Sequence, residues 1–479
     1  MIINRFILIL LLAFPIGLKA QNGIGWLIEP TPTDSVHKES FENHSSILPQ
    51  IRQGIKSENG INFVKPLNFI PLVDGGINYQ SELGYRIAGG GIIESNPSWK
   101  KFYLRAGAIG GVESADSLTS AIYEFSDSLK SIRSLFQPIV RFAYTPNHIF
   151  NFQIGHDKNF IGEGNRSLFL SDYGKPYYFG QLRARFWHVE YTLLYQFLNE
   201  NYKSIKAQKF AASHYLSWNI TKKINLGIFE TVIFQPKDTL LYRGFDVEYL
   251  NPVVFFRPQE YAIGSADNVL LGASFSVKHK KQTLYGQLIV DEFLLSEIRA
   301  RSGWWANKYG GQLGIKGFLK LKNEKFFYRV EGNAVRPYTY AHVNSLQNYG
   351  NQNSTLSHPY GANFMEILFE AKWQRSNWLV KVFANGGYQG LDEGGKSYGG
   401  NIYLPYMLRP SNYDNKIGQG IRNNYFRINL HAAYKLSEKG NIYAFAELQY
   451  RYDSALSQKS HFIPFIGIRS YLWNDYRNY

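Results

Sequence analysis

From Leu67 onward, hydrophobic and polar residues alternate with a period of two in one short segment after another. In 186–197, Trp187, Val189, Tyr191, Leu193, Tyr195 and Phe197 share one face, while His188, Glu190, Thr192 and Gln196 lie on the other. In 425–436, Phe426, Ile428, Leu430, Ala432, Tyr434 and Leu436 oppose Tyr425, Arg427, Asn429, His431 and Lys435. In 269–278, Val269, Leu271, Ala273, Phe275 and Val277 oppose Gly272, Ser274, Ser276 and Lys278. In 364–373, Met365, Ile367, Phe369, Ala371 and Trp373 oppose Glu366, Glu370 and Lys372. Weaker versions recur near 149–155, 224–234, 284–291, 309–316, 326–334, 378–385 and 442–451. Side chains of a strand point alternately to its two sides, so each segment predicts a strand with one apolar and one polar face.

A soluble sandwich alternates too, and two features argue against it. The apolar faces carry Trp, Tyr or Phe near their ends, as the aromatic girdles of a membrane barrel do. The polar faces hold charges of both signs, which suits a wet or salt-bridged lumen. Backbone groups in hydrocarbon must all be paired, so strands cross a bilayer only as a closed ring. The predicted fold is therefore all-β: a transmembrane antiparallel β-barrel over residues 66–479. Spans of about 10 residues with unequal loops give 16 to 20 strands, with eighteen expected. The final strand is expected over His461–Trp473, followed by an aromatic terminus.

The chain before the barrel differs. Arg5 followed by the apolar run from Phe6 to Phe14, with Leu18-Lys19-Ala20 as a cleavage site, has the layout of a secretory signal peptide over 1–20. Its apolar run falls short of the roughly 18 residues of a membrane-spanning helix. Residues 21–65 read as a short periplasmic lead-in or small plug, with one short helix within Ser46–Ile55. The expected location is the outer membrane of a Gram-negative bacterium.

Composition sharpens this picture. Aromatic residues make up 16% of the 479 and charged residues only 19%, yet no later stretch is continuously apolar. The absence of Cys excludes disulfides, thiolate metal sites and lipoprotein anchoring. The net charge of +15 matches anionic lipopolysaccharide and acidic surface polysaccharide, since an exported chain rarely meets nucleic acid. The same surplus also suits the lining of loops and lumen.

Enzyme templates are missing: there is no HExxH helix, P-loop, GxSxG elbow or calcium loop, and no catalytic residue, metal site or cofactor is assigned. Gly162-Glu163-Gly164-Asn165-Arg166-Ser167 starts like a nucleotide loop but lacks the third Gly and a following helix pattern. The segment 155–178 is too long and too mixed in polarity for a plain turn. Its favoured reading is a plug folded into the lumen, with Asp157, Lys158, Arg166 and Asp172 pairing against wall charges; the other reading is a carbohydrate site. The loop 335–363, with Tyr340, His342, His358 and Asn363, suits sugar recognition or a well-ordered polar loop. Trp304-Trp305 reads as part of an interface belt or as a stacking platform.

The run Asp157-Lys158-Asn159-Phe160-Ile161-Gly162-Glu163-Gly164 with Arg166-Ser167-Leu168 resembles the Wzi-like capsule-assembly family. So does Tyr338-Thr339-Tyr340-Ala341-His342 leading to His358-Pro359-Tyr360-Gly361-Ala362-Asn363-Phe364. The likeness points to a Bacteroidetes branch, some of whose members are labelled gliding-motility protein RemB. It implies an eighteen-stranded outer-membrane barrel, closed inside, that acts as a surface lectin holding capsular polysaccharide and brings no catalytic residues. Two other roles stand beside that one: an accessory component of gliding or protein-secretion machinery, and a diffusion porin.

Overall fold

A strand in hydrocarbon is stable only when both of its edges are paired, and this chain meets that demand by closing on itself. In a computed structural model, the described residues are 67–79, 83–95, 101–114, 132–202, 205–236, 249, 267–321, 324–437, 442–457 and 459–470. The first strands are β1 (Leu67–Tyr79), β2 (Leu83–Ser95), β3 (Phe102–Ser114), β4 (Ile132–Tyr144), β5 (Phe150–Asp157), β6 (Tyr177–Phe186) and β7 (Val189–Tyr202). They are followed by β8 (Ile205–Asn219), β9 (Ile224–Phe234), β10 (Asn268–His279), β11 (Gln282–Glu292), the short helix α1 (Leu295–Ala300), β12 (Lys308–Leu321) and β13 (Glu324–Val335). A two-strand ribbon of β14 (Gly350–Asn351) and β15 (Ser354–Thr355) precedes β16 (Phe364–Arg375), β17 (Trp378–Leu391), β18 (Ile421–Ser437), β19 (Ile442–Asp453) and β20 (Ser460–Ser470). All but the ribbon join one 18-stranded antiparallel sheet. Consecutive strands pair, β13 reaches β16 across the ribbon, and β1 pairs with β20 (Ile77 opposite Ile466) to close the ring.

The alternation places side chains as the sequence predicts. On β16, Met365, Ile367 and Phe369 are exposed outward and Glu366, Leu368 and Glu370 are buried inward. On β18, Phe426, Leu430 and Tyr434 face out while Tyr425, Arg427 and His431 face in. Aromatics gather at both ends of the outer surface. Phe102 with Tyr144 (ring centroids 4.9 Å apart) and Trp378 with Tyr434 (5.0 Å) mark one end, and Tyr178, Tyr309 and Tyr388 the other. Among the described residues no helix is long and apolar enough to cross a membrane.

One boundary differs from the sequence reading. Trp187 and His188 form a two-residue turn between β6 and β7 rather than the start of a strand, and Trp187 takes a left-handed φ of 51°. No Gly or Asn marks this turn. Its register is held by cross-strand charge instead: Arg183 pairs with Glu190 at 2.9 Å, and Arg185 contacts the same carboxylate.

The two ends of the barrel are unlike. Strands join through short turns such as 187–188, 280–281 and 376–377 at one end, where β1 begins and β20 ends. The long connections 158–176, 293–307, 336–363 and 392–420 all lie at the other. The segments read above as a leader (1–20), as a lead-in with a short helix (21–65) and as an aromatic terminus (beyond Ser470) fall outside the described residues.

The hydrophobic core sits inside the ring. Phe179, Leu194, Tyr215, Phe229, Leu270 and Ile289 on the inner wall pack against Ile161, Leu168, Phe169 and Leu170 of the 158–176 loop. Phe169 stacks on Phe229 at 4.8 Å and lies over Gly272, where an added Cβ would come within 2.4 Å of its ring. Glycine is required there because the plug touches the wall backbone. On the outer face, Leu313 projects near the middle of β12 and is 59% exposed. Replacing it with Arg is expected to destabilise the barrel by about 2–4 kcal/mol, read from urea titrations in lipid vesicles; an unchanged midpoint would contradict the lipid-facing assignment.

Candidate functional site: the lumen plug and its rim

Charge pairing draws the 158–176 loop into the lumen. At its entry Arg141 of β4 donates to Asp157 (3.1 Å), Gln153 (2.7 Å) and the carbonyl of Lys158 (2.8 Å). At its tip the backbone N–H groups of Asn165 and Arg166 donate to Glu331 of β13 (2.9 and 3.3 Å). The Arg166 guanidinium meets Glu366 of β16 at 3.3 Å, with side-chain exposures of 1% and 0%. Lys316 of β12 reaches the Glu163 carboxylate (2.9 Å) and carbonyl (2.8 Å), and Gln287 of β11 accepts the N–H of Leu168 (2.8 Å). Gly164 lets the loop approach Glu331, whose carboxylate would lie 2.3 Å from an added Cβ. Asp172 is buried in the same loop and Lys158 half-buried.

The 336–363 loop lies against the first. Tyr340 donates through its hydroxyl to the carbonyl of Leu168 (2.9 Å) and through its backbone N–H to Asp291 (2.9 Å). The N–H of Ser171 donates to the carbonyl of Leu356 (2.7 Å), and Lys209 of β8 donates to Asn348 (2.6 Å). His358 is enclosed beside the Arg166–Glu366 pair. Its Nδ1 accepts the N–H of Tyr360 (3.2 Å), which leaves the ring proton on Nε2 to be donated to Glu366 at 2.8 Å. Burial pushes this imidazole down to about 4, against the opposing pull of Glu366. His342, whose Nδ1 accepts the N–H of Asn344, is likewise pushed down to about 4 by burial and then by Lys308.

Asn363 ties this loop to 392–420, which the sequence reading had not singled out. Its amide donates toward the carbonyls of Gly390, Tyr398 and Gln419 (3.0–3.1 Å) and accepts the N–H of Gly418 (2.7 Å). Asp392 holds the same loop by accepting the N–H groups of Tyr398 (2.5 Å) and Asn401 (3.2 Å). Above it, Trp305 lies under Arg409 (4.1 Å to the ring centroid) and beside Tyr406 (4.6 Å), and His342 meets the edge of Tyr406. Trp305 is therefore fastened among the loops, with Arg409 supplying a cation for its face. Trp304 is half-exposed next to it, with Asn412 and Tyr413 exposed nearby; the backbone N–H of Trp305 donates to the Asn412 carbonyl (2.9 Å).

Asp157, Lys158, Arg166, Asp172, Tyr340 and His358 thus come together in the plug, and Trp304, Trp305 and His342 in its rim, with Asn363 joining the two. The wall carboxylates Glu331 and Glu366 and the rim residues Tyr406 and Arg409 were missed. Alternation places both glutamates on the polar face, yet partners 165 and 200 residues distant leave no local pattern. Among the described residues, no group of three or more His, Cys, Asp or Glu is placed to hold a metal ion.

No protein-family model matches the chain, and no curated protein matches its sequence. Among solved structures it is similar to Wzi of Escherichia coli, described as an outer-membrane protein involved in group 1 capsule assembly and a carbohydrate-binding β-barrel. That likeness has a TM-score of 0.55 at 12% identity and covers 84% of this chain and 83% of the other. Pseudomonas aeruginosa OprD is also similar, with a TM-score of 0.41 at 11% identity over 86% of this chain and 96% of that one. So is Pseudomonas aeruginosa OccK2 (OpdF) in complex with glucuronate, with a TM-score of 0.43 at 7% identity over 85% and 98%. The likeness to Wzi is one of fold: a barrel of the outer-membrane kind.

The histidine geometry generates a pH dependence. An unfolded imidazole takes up its proton near 6.5, whereas folded His358 and His342 do so only near 4. Between those values the unfolded state binds more protons, so stability falls as pH drops through that window. Thermal unfolding in detergent from pH 7.5 to 4.5 is expected to show this decline, and His358→Gln to flatten it; equal slopes for both proteins would contradict the neutral, enclosed imidazole.

Proposed function

We propose that this chain is a non-enzymatic outer-membrane barrel that holds surface polysaccharide at its long-loop end. The observation that carries this reading is the division of labour between plug and rim. Arg166, Tyr340, His358 and Asn363 are consumed by internal contacts in a filled lumen, whereas Trp304, Asn412 and Tyr413 stay reachable outside it. Aromatic faces beside amide groups suit sugars, since a ring stacks on C–H faces while an amide donates and accepts to hydroxyls. Arg409 and the overall basic charge favour an acidic glycan. The fold likeness to a carbohydrate-binding barrel of capsule assembly supports the same reading.

On this reading residues 1–20 are a cleaved leader, 21–65 a periplasmic lead-in, and the long loops extracellular, since outer-membrane barrels keep their short turns in the periplasm. Kinship with the Bacteroidetes branch labelled gliding-motility protein RemB is its finer form, resting on the motifs at Asp157–Gly164 and Tyr338–Phe364. Titration of purified barrel with acidic capsular polysaccharide tests it. Trp304→Ala with Tyr413→Ala is expected to weaken binding by about 1.5 kcal/mol, roughly tenfold in Kd. Wild-type affinity in the double variant would move the site elsewhere. Failure of the wild type to retain any polysaccharide, with motility or secretion subunits co-purifying instead, would replace the reading with a machinery role.

A further inference from the structure

The connection from β11 to β12 carries an apolar surface that neither the plug nor the rim uses. Immediately beyond Glu292, Phe293, Leu294, Leu295 and Ile298 are 53%, 44%, 48% and 38% exposed, and α1 buries none of its residues. Leu294, Leu295 and Ile298 are spaced to share one side of this single turn of helix. Beside them, Arg299 and Arg301 are exposed. A helix of six residues has no stability of its own in water, and this one is held by pins at both ends. The N–H of Leu294 donates to Asn307 (2.8 Å), Arg301 closes the helix with a left-handed φ of 53°, and Ser302 and Gly303 accept the N–H groups of Asp414 (3.0 Å) and Asn415 (2.8 Å). Gly303 is required at the second pin, because an added Cβ would lie 2.7 Å from the backbone of Asp414.

Position in the barrel says what covers this surface. The outward column of β11 runs through Leu284 and Leu288, both exposed apolar residues of the belt, to Val290, and passes directly into Phe293 and α1. Val290 lies opposite Tyr309, which belongs to the aromatic girdle at the long-loop end. The apolar turn therefore begins at the level where hydrocarbon gives way to headgroups, and its two arginines follow it there. Apolar side chains inserted at that boundary, with cations alongside, form an interfacial foot suited to anionic lipid.

We infer that 293–301 is a membrane foot: Phe293, Leu294, Leu295 and Ile298 enter the acyl region of the outer leaflet, and Arg299 and Arg301 bind the phosphates of its anionic glycolipid. By fixing the base of the 293–307 loop, this contact holds Trp304 and Trp305 at a set height above the bilayer.

The chain has no Cys, so Ile298→Cys accepts a single environment-sensitive fluorophore, with Ser411→Cys as the aqueous reference on the exposed rim. Barrels reconstituted into bilayers containing lipopolysaccharide are titrated with brominated phospholipid and with iodide. The expected result is strong quenching at 298 by acyl-chain bromine and little by iodide, with the reverse at 411. Arg299→Gln with Arg301→Gln is expected to lower the bromine quenching and to reduce severalfold the lipid A that co-purifies. Iodide quenching at 298 equal to that at 411 would overturn the foot. Disulfide-linked pairs of unlabelled Ile298→Cys barrels would overturn it in favour of contact between copies. Identical quenching and lipid retention with and without the arginines would overturn the phosphate contact.

Discussion

The structure depends on the rule that a charge taken out of water must meet its opposite at close range. Arg166 and Glu366 meet in the interior with almost no exposure, and removing one partner of such a pair commonly costs 3–5 kcal/mol. That demand fixes where the 158–176 loop must lie. Once Arg166 is placed, the backbone N–H groups beside it fall on Glu331, Lys316 reaches Glu163, and Phe169 is pressed on Gly272 and Phe229. The second loop is then positioned by the first, through Tyr340 on Leu168 and His358 on Glu366.

The chain folds between two solvents. Outside, Leu313 and Ile367 are satisfied by hydrocarbon and need no protein partner. Inside, the wall of β8 to β11 carries an apolar patch among its polar residues, and an open aqueous lumen would leave Tyr215, Phe229, Leu270 and Ile289 against water. The plug covers them, so ionic and hydrophobic contributions act together: charge chooses the place, and burial of apolar area at roughly 25 cal/mol per Å² supplies much of the stabilisation. A wall built this way supports a rigid rim, where reachable residues such as Trp304 and Tyr413 stand on loops pinned from below by Asn363 and Asp392.

Much of the barrel was legible in the sequence because lipid on one side and protein on the other impose a period of two. Among the described residues the first strand is Leu67–Tyr79; the outward faces of β16 and β18 follow from the alternation, and the strand count from the length of chain divided into spans. What escaped had no periodic signature. The turn at Trp187-His188 carries no residue that favours positive φ and is set by Arg183, Arg185 and Glu190 across the strands. The apolar patch on the inner wall was hidden because alternation marks the two faces without saying where the lumen side is dry. The plug segment was recognisable from its length and mixed charge, but its partners Glu331 and Glu366 lie far along the chain. The 392–420 loop, rich in Gly and Tyr, reads as ordinary surface until Asn363 and Arg409 show what it holds.

Paired charge seals the lumen, and single-channel conductance tests this most directly. Planar bilayers containing the wild-type barrel should show no stable steps of porin size, while Glu366→Ala, which strands Arg166 and releases His358, should show frequent transient openings. Large, steady open-channel steps from the wild-type protein, unchanged in Glu366→Ala, would contradict the account.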